Sequence, residues 1–359
     1  MQIPWWHTEI GAGERIRLLD AFDRRCFTLG PVSRELAERL SAGLGVRHVV
    51  ITPSGTAALA MALLAAGVGP GDEVIVPDLT WIATAQAASI LGARVVLVDC
   101  AADSPVIDLD AAERAITPRT RAIIPVHFHG RCCDMPRLMA LAKANGIFVI
   151  EDACKAMFCR HAEGMLGTIG HFGCFSMGMI SLISSGYGGF IVTDNDALYE
   201  KLLLIRDHGM RRIPAESYEY NAFNFKISDL LCAIALGQLD VLEEKQAHLR
   251  RVYDLYHEGL AGLETVEMIP LDVESGLVPL CIDLRARERE SLVSHLEKSG
   301  IQVSRFHLPL HDARYLNASG SFPNTLALTR TGFMPPCGPS QPLTNVASVI
   351  DCLRSWRNP

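Results

Sequence analysis

The chain has 359 residues, 49% of them hydrophobic and 20% charged, and 33 Lys+Arg against 40 Asp+Glu give a formal net charge of -7. That balance excludes a disordered chain, and an acidic excess without any basic run excludes a general nucleic-acid surface. The length calls for one large domain and one smaller one.

The amino-terminal stretch MQIPWWHTEIGAGERIR has no basic start followed by an apolar run, so no secretion signal is expected. Residues 48–52 read as a strand, 57–66 as an Ala/Leu-rich helix, 73–77 as a second strand and 82–91 as a helix. Strands follow at 94–98 and 122–126, a helix at 135–144, and a fifth strand at 148–150 that ends on Glu151-Asp152. This rhythm predicts a mostly parallel α/β sheet with helices on both faces. Two stretches without charge, 49–71 and 172–193, are long enough to span a membrane but are broken by Gly, Ser and Pro. Both are expected to be buried strand–loop–helix units. From residue 227 to about 260 the pattern is helical. Strands at 279–284 and 301–305 then flank a helix at 288–298, and a helix at 346–356 closes a smaller α+β domain. The expected division is 1–245, the cofactor-binding part with an amino-terminal arm, and 246–359. Eleven cysteines, with no C-x-x-C pair, read as reduced thiols of a cytoplasmic protein, and no metal site is expected.

Ligands of such sheets sit at the carboxyl ends of the strands. There the sequence places Ser54-Gly55-Thr56, Trp81, His127-Phe128-His129 and Asp152. Ser54-Gly55-Thr56 opens a helix, where free N–H groups and the helix dipole suit an anion; an ordinary N-cap is the plainer alternative. Asp152 could hold a protonated pyridine nitrogen, or cap the next helix. Trp81 could stack on a flat ring, or belong to the core.

In order and spacing, these residues resemble the DegT/DnrJ/StrS group of sugar aminotransferases, fold-type I enzymes of pyridoxal phosphate (PLP). The matching stretches include ITPSGTAALAMALLAAGVGPGDEVIVPDLTWIATAQ, AIIPVHFHG, GIFVIEDACKA, GTIGHFGCFSM, YNAFNFKISDLLCAIALGQLDVLEE and FHLPLH, and they cover almost the whole chain. The resemblance implies that Gly55 and Thr56 bind the cofactor phosphate, with Ser54 beside them, that Trp81 stacks on the pyridine ring, and that Asp152 holds its nitrogen. It also implies a phosphate contact for Ser176, a contribution from Asn224 to a neighbouring subunit's phosphate site, and places near a sugar nucleotide for His307 and His311.

The resemblance breaks at one position. Relatives carry a lysine a few residues after Phe-Ser, and that lysine forms the Schiff base with PLP. Anchored on Phe175-Ser176 and Gly188-Gly189, its position here falls on Ser181, and no lysine lies between His171 and Glu200. Ile180 and Tyr187 also depart from the family pattern. Lys155 stands where relatives carry Gln or His, and could act as a substitute base, form an off-register imine, pair with the cofactor's phenolate, or point to solvent. Serine forms no stable imine and is no strong base unaided, so ordinary transamination is not expected.

Three functions stay open. One is an enzyme that holds PLP or pyridoxamine phosphate (PMP) non-covalently and acts on a keto or amino sugar, a sugar nucleotide or an aminocyclitol, with its base drawn from Lys155, His127, His129 or His307. The second is a silent subunit that pairs with an active, lysine-bearing homologue. The third is a sensor that binds without reaction. The partner is a second copy in a homodimer, or that homologue in a heterodimer. Neither nucleic acid nor membrane is expected as a partner.

Overall fold

The computed structural model describes residues 2–211 and 217–357. Two helices, α1 (Ala12–Asp23) and α2 (Pro31–Leu44), precede the first strand. The expected alternation follows: β1 (His48–Thr52), α3 (Gly55–Ala65), β2 (Glu73–Pro77), α4 (Ala83–Ile90), β3 (Arg94–Val98), α5 (Leu109–Ala115), β4 (Thr120–Ile123), α6 (Met135–Asn145) and β5 (Phe148–Asp152). A short hairpin, β6 (Arg160–His161) and β7 (Gly164–Met165), leads to β8 (Phe172–Ser176), β9 (Gly189–Thr193) and α7 (Asp196–Arg206). After α8 (Asp229–Asp240) and α9 (Leu242–Gly259) come β10 (Glu267–Met268), β11 (Leu284–Arg285), α10 (Arg289–Lys298), β12 (Ser304–Arg305), α11 (Pro323–Thr331), β13 (Gly332–Met334) and α12 (Leu343–Ser355).

Seven strands form the central sheet in the order β1-β9-β8-β5-β4-β2-β3. β3, β2, β4, β5 and β8 pair in parallel, and only β9 runs against its neighbours β8 and β1. The middles of most strands are apolar because both faces are covered. Alternation sends Val74, Val76 and Ile150 to the face under α3, α4 and α7, and Ile75 and Val149 to the face under α5 and α6. A second, antiparallel sheet, β10-β11-β13-β12, belongs to the smaller carboxyl-terminal part. Among the described residues no helix is long and apolar enough to cross a membrane.

Three local expectations are corrected. Residues 172–193 form strand–loop–strand: Phe190-Ile191-Val192-Thr193 fill the gap between β1 and β8 and are wholly buried. The helix expected over 227–260 is two helices, broken at Val241 (φ -111°, ψ 22°). α8 packs on α1 and α2, whereas α9 packs on α12. The 245/246 boundary, expected inside or just after the long helical stretch, lies within α9. Of the strand expected at 279–284, only Leu284 belongs to a strand; Pro279 has no N–H to give, and Cys281 lines the cavity described below.

Gly173 sets how closely β8 can approach the preceding turn. A Cβ built on it would lie 1.7 Å from the Gly167 carbonyl oxygen, and backbone cannot yield as a side chain can. Gly173→Ala is therefore expected to cost at least about 3 kcal/mol in denaturant unfolding. A variant as stable as the parent would contradict this packing.

Candidate active site

The site is built from the end of β5. Successive strand residues face opposite ways, so Glu151 and Asp152 project to opposite sides. Glu151 is fully buried. Its Oε2 accepts from His127 Nε2 (2.6 Å) and the Gly167 amide (2.8 Å), and its Oε1 from the amides of Ile169 (2.7 Å) and Gly170 (2.5 Å). The histidine after β4 is thereby tied to the turn before β8. His127 donates from Nε2, and its Nδ1 is buried with no partner among the described residues. Asp152 faces a cavity of about 270 Å³ at the carboxyl edge of the sheet. Thr84 Oγ1 donates to its Oδ2 (2.8 Å) and the Cys154 amide to its Oδ1 (3.2 Å).

The amino end of α3 borders the same cavity. Ser54 is its N-cap and accepts from the Ala57 amide (3.0 Å), so the plainer reading of that hydroxyl holds at the least. A Cβ at Gly55 would come within 2.7 Å of Cys154 Sγ and 3.1 Å of Ser176 Cβ, so this turn admits only glycine without rearrangement. Ser176, at the end of β8, lines the cavity and accepts from the Gly178 amide (3.2 Å), and Thr56 sits at the exposed rim. Trp81 is 60% exposed and meets His307 edge-on, with ring centroids 5.2 Å apart.

Besides His127, three basic groups among the described residues line the cavity: His129, Lys155 and His307. His129 has a backbone φ of 49°, an uncommon conformation for a residue with a side chain, and its Nδ1 lies 2.8 Å from Asp283 Oδ1. Arg131 holds the other oxygen of Asp283 (2.5 Å) and the carbonyls of Ile269 (2.8 Å) and Pro270 (2.9 Å). Burial opposes a charge on His129, but the Asp283 carboxylate and then the Cys281 thiol outweigh it and push the imidazole up to about 10. His307 moves the other way, down to about 4, through burial first and then through repulsion from His129 and Lys155. Burial also lowers Lys155 below the ordinary lysine range, against the pull of Cys281, Cys154 and Asp152. At neutral pH, His129 is a cation and His307 a neutral base.

Lys155 donates to the carbonyl of Ile180, the residue before Ser181. Ser181 itself does not line the cavity; it is 1% exposed, and its hydroxyl has no partner among the described residues. On its other side the Leu182 carbonyl accepts from Lys245 (3.4 Å), a buried lysine that also donates to Gln238, which in turn donates to Glu14 (2.6 Å). Two lysines thus hold the peptide groups that flank position 181. Tyr187 is exposed. Asn224 is exposed and lies outside this chain's cavity, accepting from the Lys226 amide (3.2 Å). His311 is also outside it, tied to Asp78 through its backbone amide (2.8 Å) and Nδ1 (2.7 Å). The structure thus gathers Ser54, Gly55, Thr56, Trp81, Asp152, Lys155, Ser176 and His307, with His127 and His129, around one cavity, and leaves out Ser181, Asn224 and His311. Sequence reasoning passed over Thr84, Glu151, Cys281 and Asp283. Only Glu151 carried a signal, as a second acid at a strand end.

Comparison with known proteins agrees with this geometry. The family described as the DegT/DnrJ/EryC1/StrS aminotransferase family matches residues 9–354. GDP-perosamine synthase of Caulobacter vibrioides is 37% identical over 71% of this chain and 69% of its own length. The dTDP-3-amino-3,4,6-trideoxy-alpha-D-glucose transaminase of Streptomyces venezuelae is 32% identical over 98% of this chain and 93% of its own. The solved PMP form of Spr1654 from Streptococcus pneumoniae superposes with a TM-score of 0.91 at 26% identity, over 99% of this chain and 97% of that one.

The charge assignments are open to NMR. Across pH 5 to 8, the His129 ring is expected to stay protonated and the His307 ring neutral, in a titration assigned by His129→Gln and His307→Gln variants. A His307 ring titrating near 6.5, the ordinary histidine value, would contradict the packing argued for it.

Proposed function

The chain belongs to the DegT/DnrJ/EryC1/StrS aminotransferase family, and on that footing we propose that it is an enzyme that binds PLP or PMP non-covalently and acts on a keto or amino sugar, a sugar nucleotide or an aminocyclitol. Because Ser181 stands where relatives carry the lysine, its reaction is not ordinary transamination but a lysine-independent one such as dehydration. The observation that carries the reading is that the residues matching the family's cofactor contacts line one cavity, whereas Ser181 lies behind its wall and Lys155 lines it. Relatives named for sugar chemistry, and the PMP, PLP and apo forms of Spr1654, support the substrate class and the cofactor.

The residues present fit such a cofactor. The amino end of α3 with Ser176 offers donors for a phosphate, and the absent Cβ of Gly55 leaves room for it. Asp152, pinned by Thr84 and the Cys154 amide, is the carboxylate for a pyridine nitrogen, and Trp81 offers a flat face. When bound, the cofactor supplies an electron sink at its ring. Asp152 keeps a proton on the ring nitrogen. His307, neutral at physiological pH, accepts a proton from the substrate, and Lys155 supplies one from its ammonium group. Asn224 serves the phosphate site of a second subunit. Lining of the cavity by Lys155 favours this enzyme over a silent subunit.

The test uses PLP, borohydride and mass spectrometry, beside calorimetric titration with PMP. The wild-type chain is expected to bind PMP and to yield no reducible PLP adduct, whereas Ser181→Lys gains one. Asp152→Asn should weaken PMP binding by at least about tenfold, the order of one charge-assisted hydrogen bond. Failure of the wild-type chain to bind PMP, or a wild-type adduct on Lys155, would contradict the proposal.

A further inference from the structure

The charges that line the cavity do not balance. Among the described residues Asp152 is the one carboxylate on its wall, and the proposed cofactor would use it. Facing it are Lys155 and His129. Among the described residues Lys155 has no acidic partner, only the Ile180 carbonyl. His129 has one, Asp283, but Arg131 claims the same carboxylate, so two cations share one anion. His129, Arg131 and Asp283 together carry one net positive charge, all three buried. Buried charge without a counter-charge is costly and seldom kept without a use. When bound, the cofactor would neutralise one of the two cations through a ring oxygen, and its phosphate would be held apart from them by the amino end of α3. One positive charge remains. Burial first, and then His129 and Lys155, oppose protonation of His307, which therefore adds no charge to the wall.

We propose that the substrate carries an anionic oxygen group, a carboxylate or a phosphate, near its reacting carbon, and that Lys155 and His129 receive it. This rests on the reading of the cavity as a sugar site and narrows it: an acidic sugar is the substrate, and a neutral hexose is not. The chemistry fits the donors. An ammonium and an imidazolium each give a charge-assisted hydrogen bond to an oxyanion, and neither gains as much from a hydroxyl. His129 cannot turn away to solvent, because Asp283 holds its Nδ1, so it is preorganised for an anion and loses little freedom on binding.

The test is calorimetric titration with three sugars that differ only at C6: D-glucose, D-glucuronate and D-glucose 6-phosphate. Each is run on the protein alone and on protein saturated with PMP. At least one anionic sugar is expected to bind roughly tenfold or more tighter than glucose, and which one does so identifies a carboxylate or a phosphate as the group read. Lys155→Met should shrink that preference, and so should salt. Equal affinities, no binding of either anionic sugar, or a preference unchanged in Lys155→Met would overturn the inference. Loss of PMP binding with the preference intact would instead count against the cofactor proposal alone.

Discussion

The carboxylate of Glu151 accepts four hydrogen bonds from two separate pieces of chain, and the site takes its shape from that junction. His127 comes from the crossover after β4, and Gly167, Ile169 and Gly170 from the turn that feeds β8. A buried carboxylate tolerates its surroundings only when its oxygens are satisfied, and here both are. Because strand residues alternate, locking Glu151 on one side of β5 fixes Asp152 on the other, facing the cavity. The same junction sets the approach of β8, where Gly173 lies against Gly167 and Ser176 reaches the amino end of α3. One satisfied carboxylate therefore aligns a strand, a turn and two lining residues.

Around that frame, the segment that departs from the family is held no less firmly than the rest. Lys155 from the end of β5 and Lys245 from α9 donate to the carbonyls on either side of Ser181. Lys245 is backed by Gln238 and Glu14, so this support runs through the body of the protein to α1. Although Ser181 brings no basic group, the cavity holds several. Lys155 approaches from a different strand, His129 is kept cationic by Asp283, and His307 is kept neutral by its neighbours. His307 differs from His129 in protonation because its surroundings differ, which is the condition for dividing acid and base duties within one cavity.

Much of this was legible in the residues. β1, β2 and β3 are local runs of β-branched residues, and their bounds match the sequence reading to the residue. The strand-end rule found Ser54, Trp81, His127, His129 and Asp152 because it needs only topology. What stayed hidden depends on contacts distant in the chain. Asp283 meets His129 across 154 residues, and Thr84 meets Asp152 across 68. β9 escaped because its Gly- and Ser-rich approach carries no strand signal until it slots between β1 and β8. The expected lysine register falls on Ser181, but nothing local told that the Ser181 side chain would be buried behind the wall, or that His311 would be spent on Asp78.

The most direct test of the central claim is a crystal structure of the chain grown with PMP. The account predicts electron density for PMP in this cavity, with the ring nitrogen at Asp152, the phosphate at the amino end of α3, and no covalent bond to any lysine. An empty cavity in crystals from saturating PMP, or PMP seated with its ring away from Asp152, would contradict it.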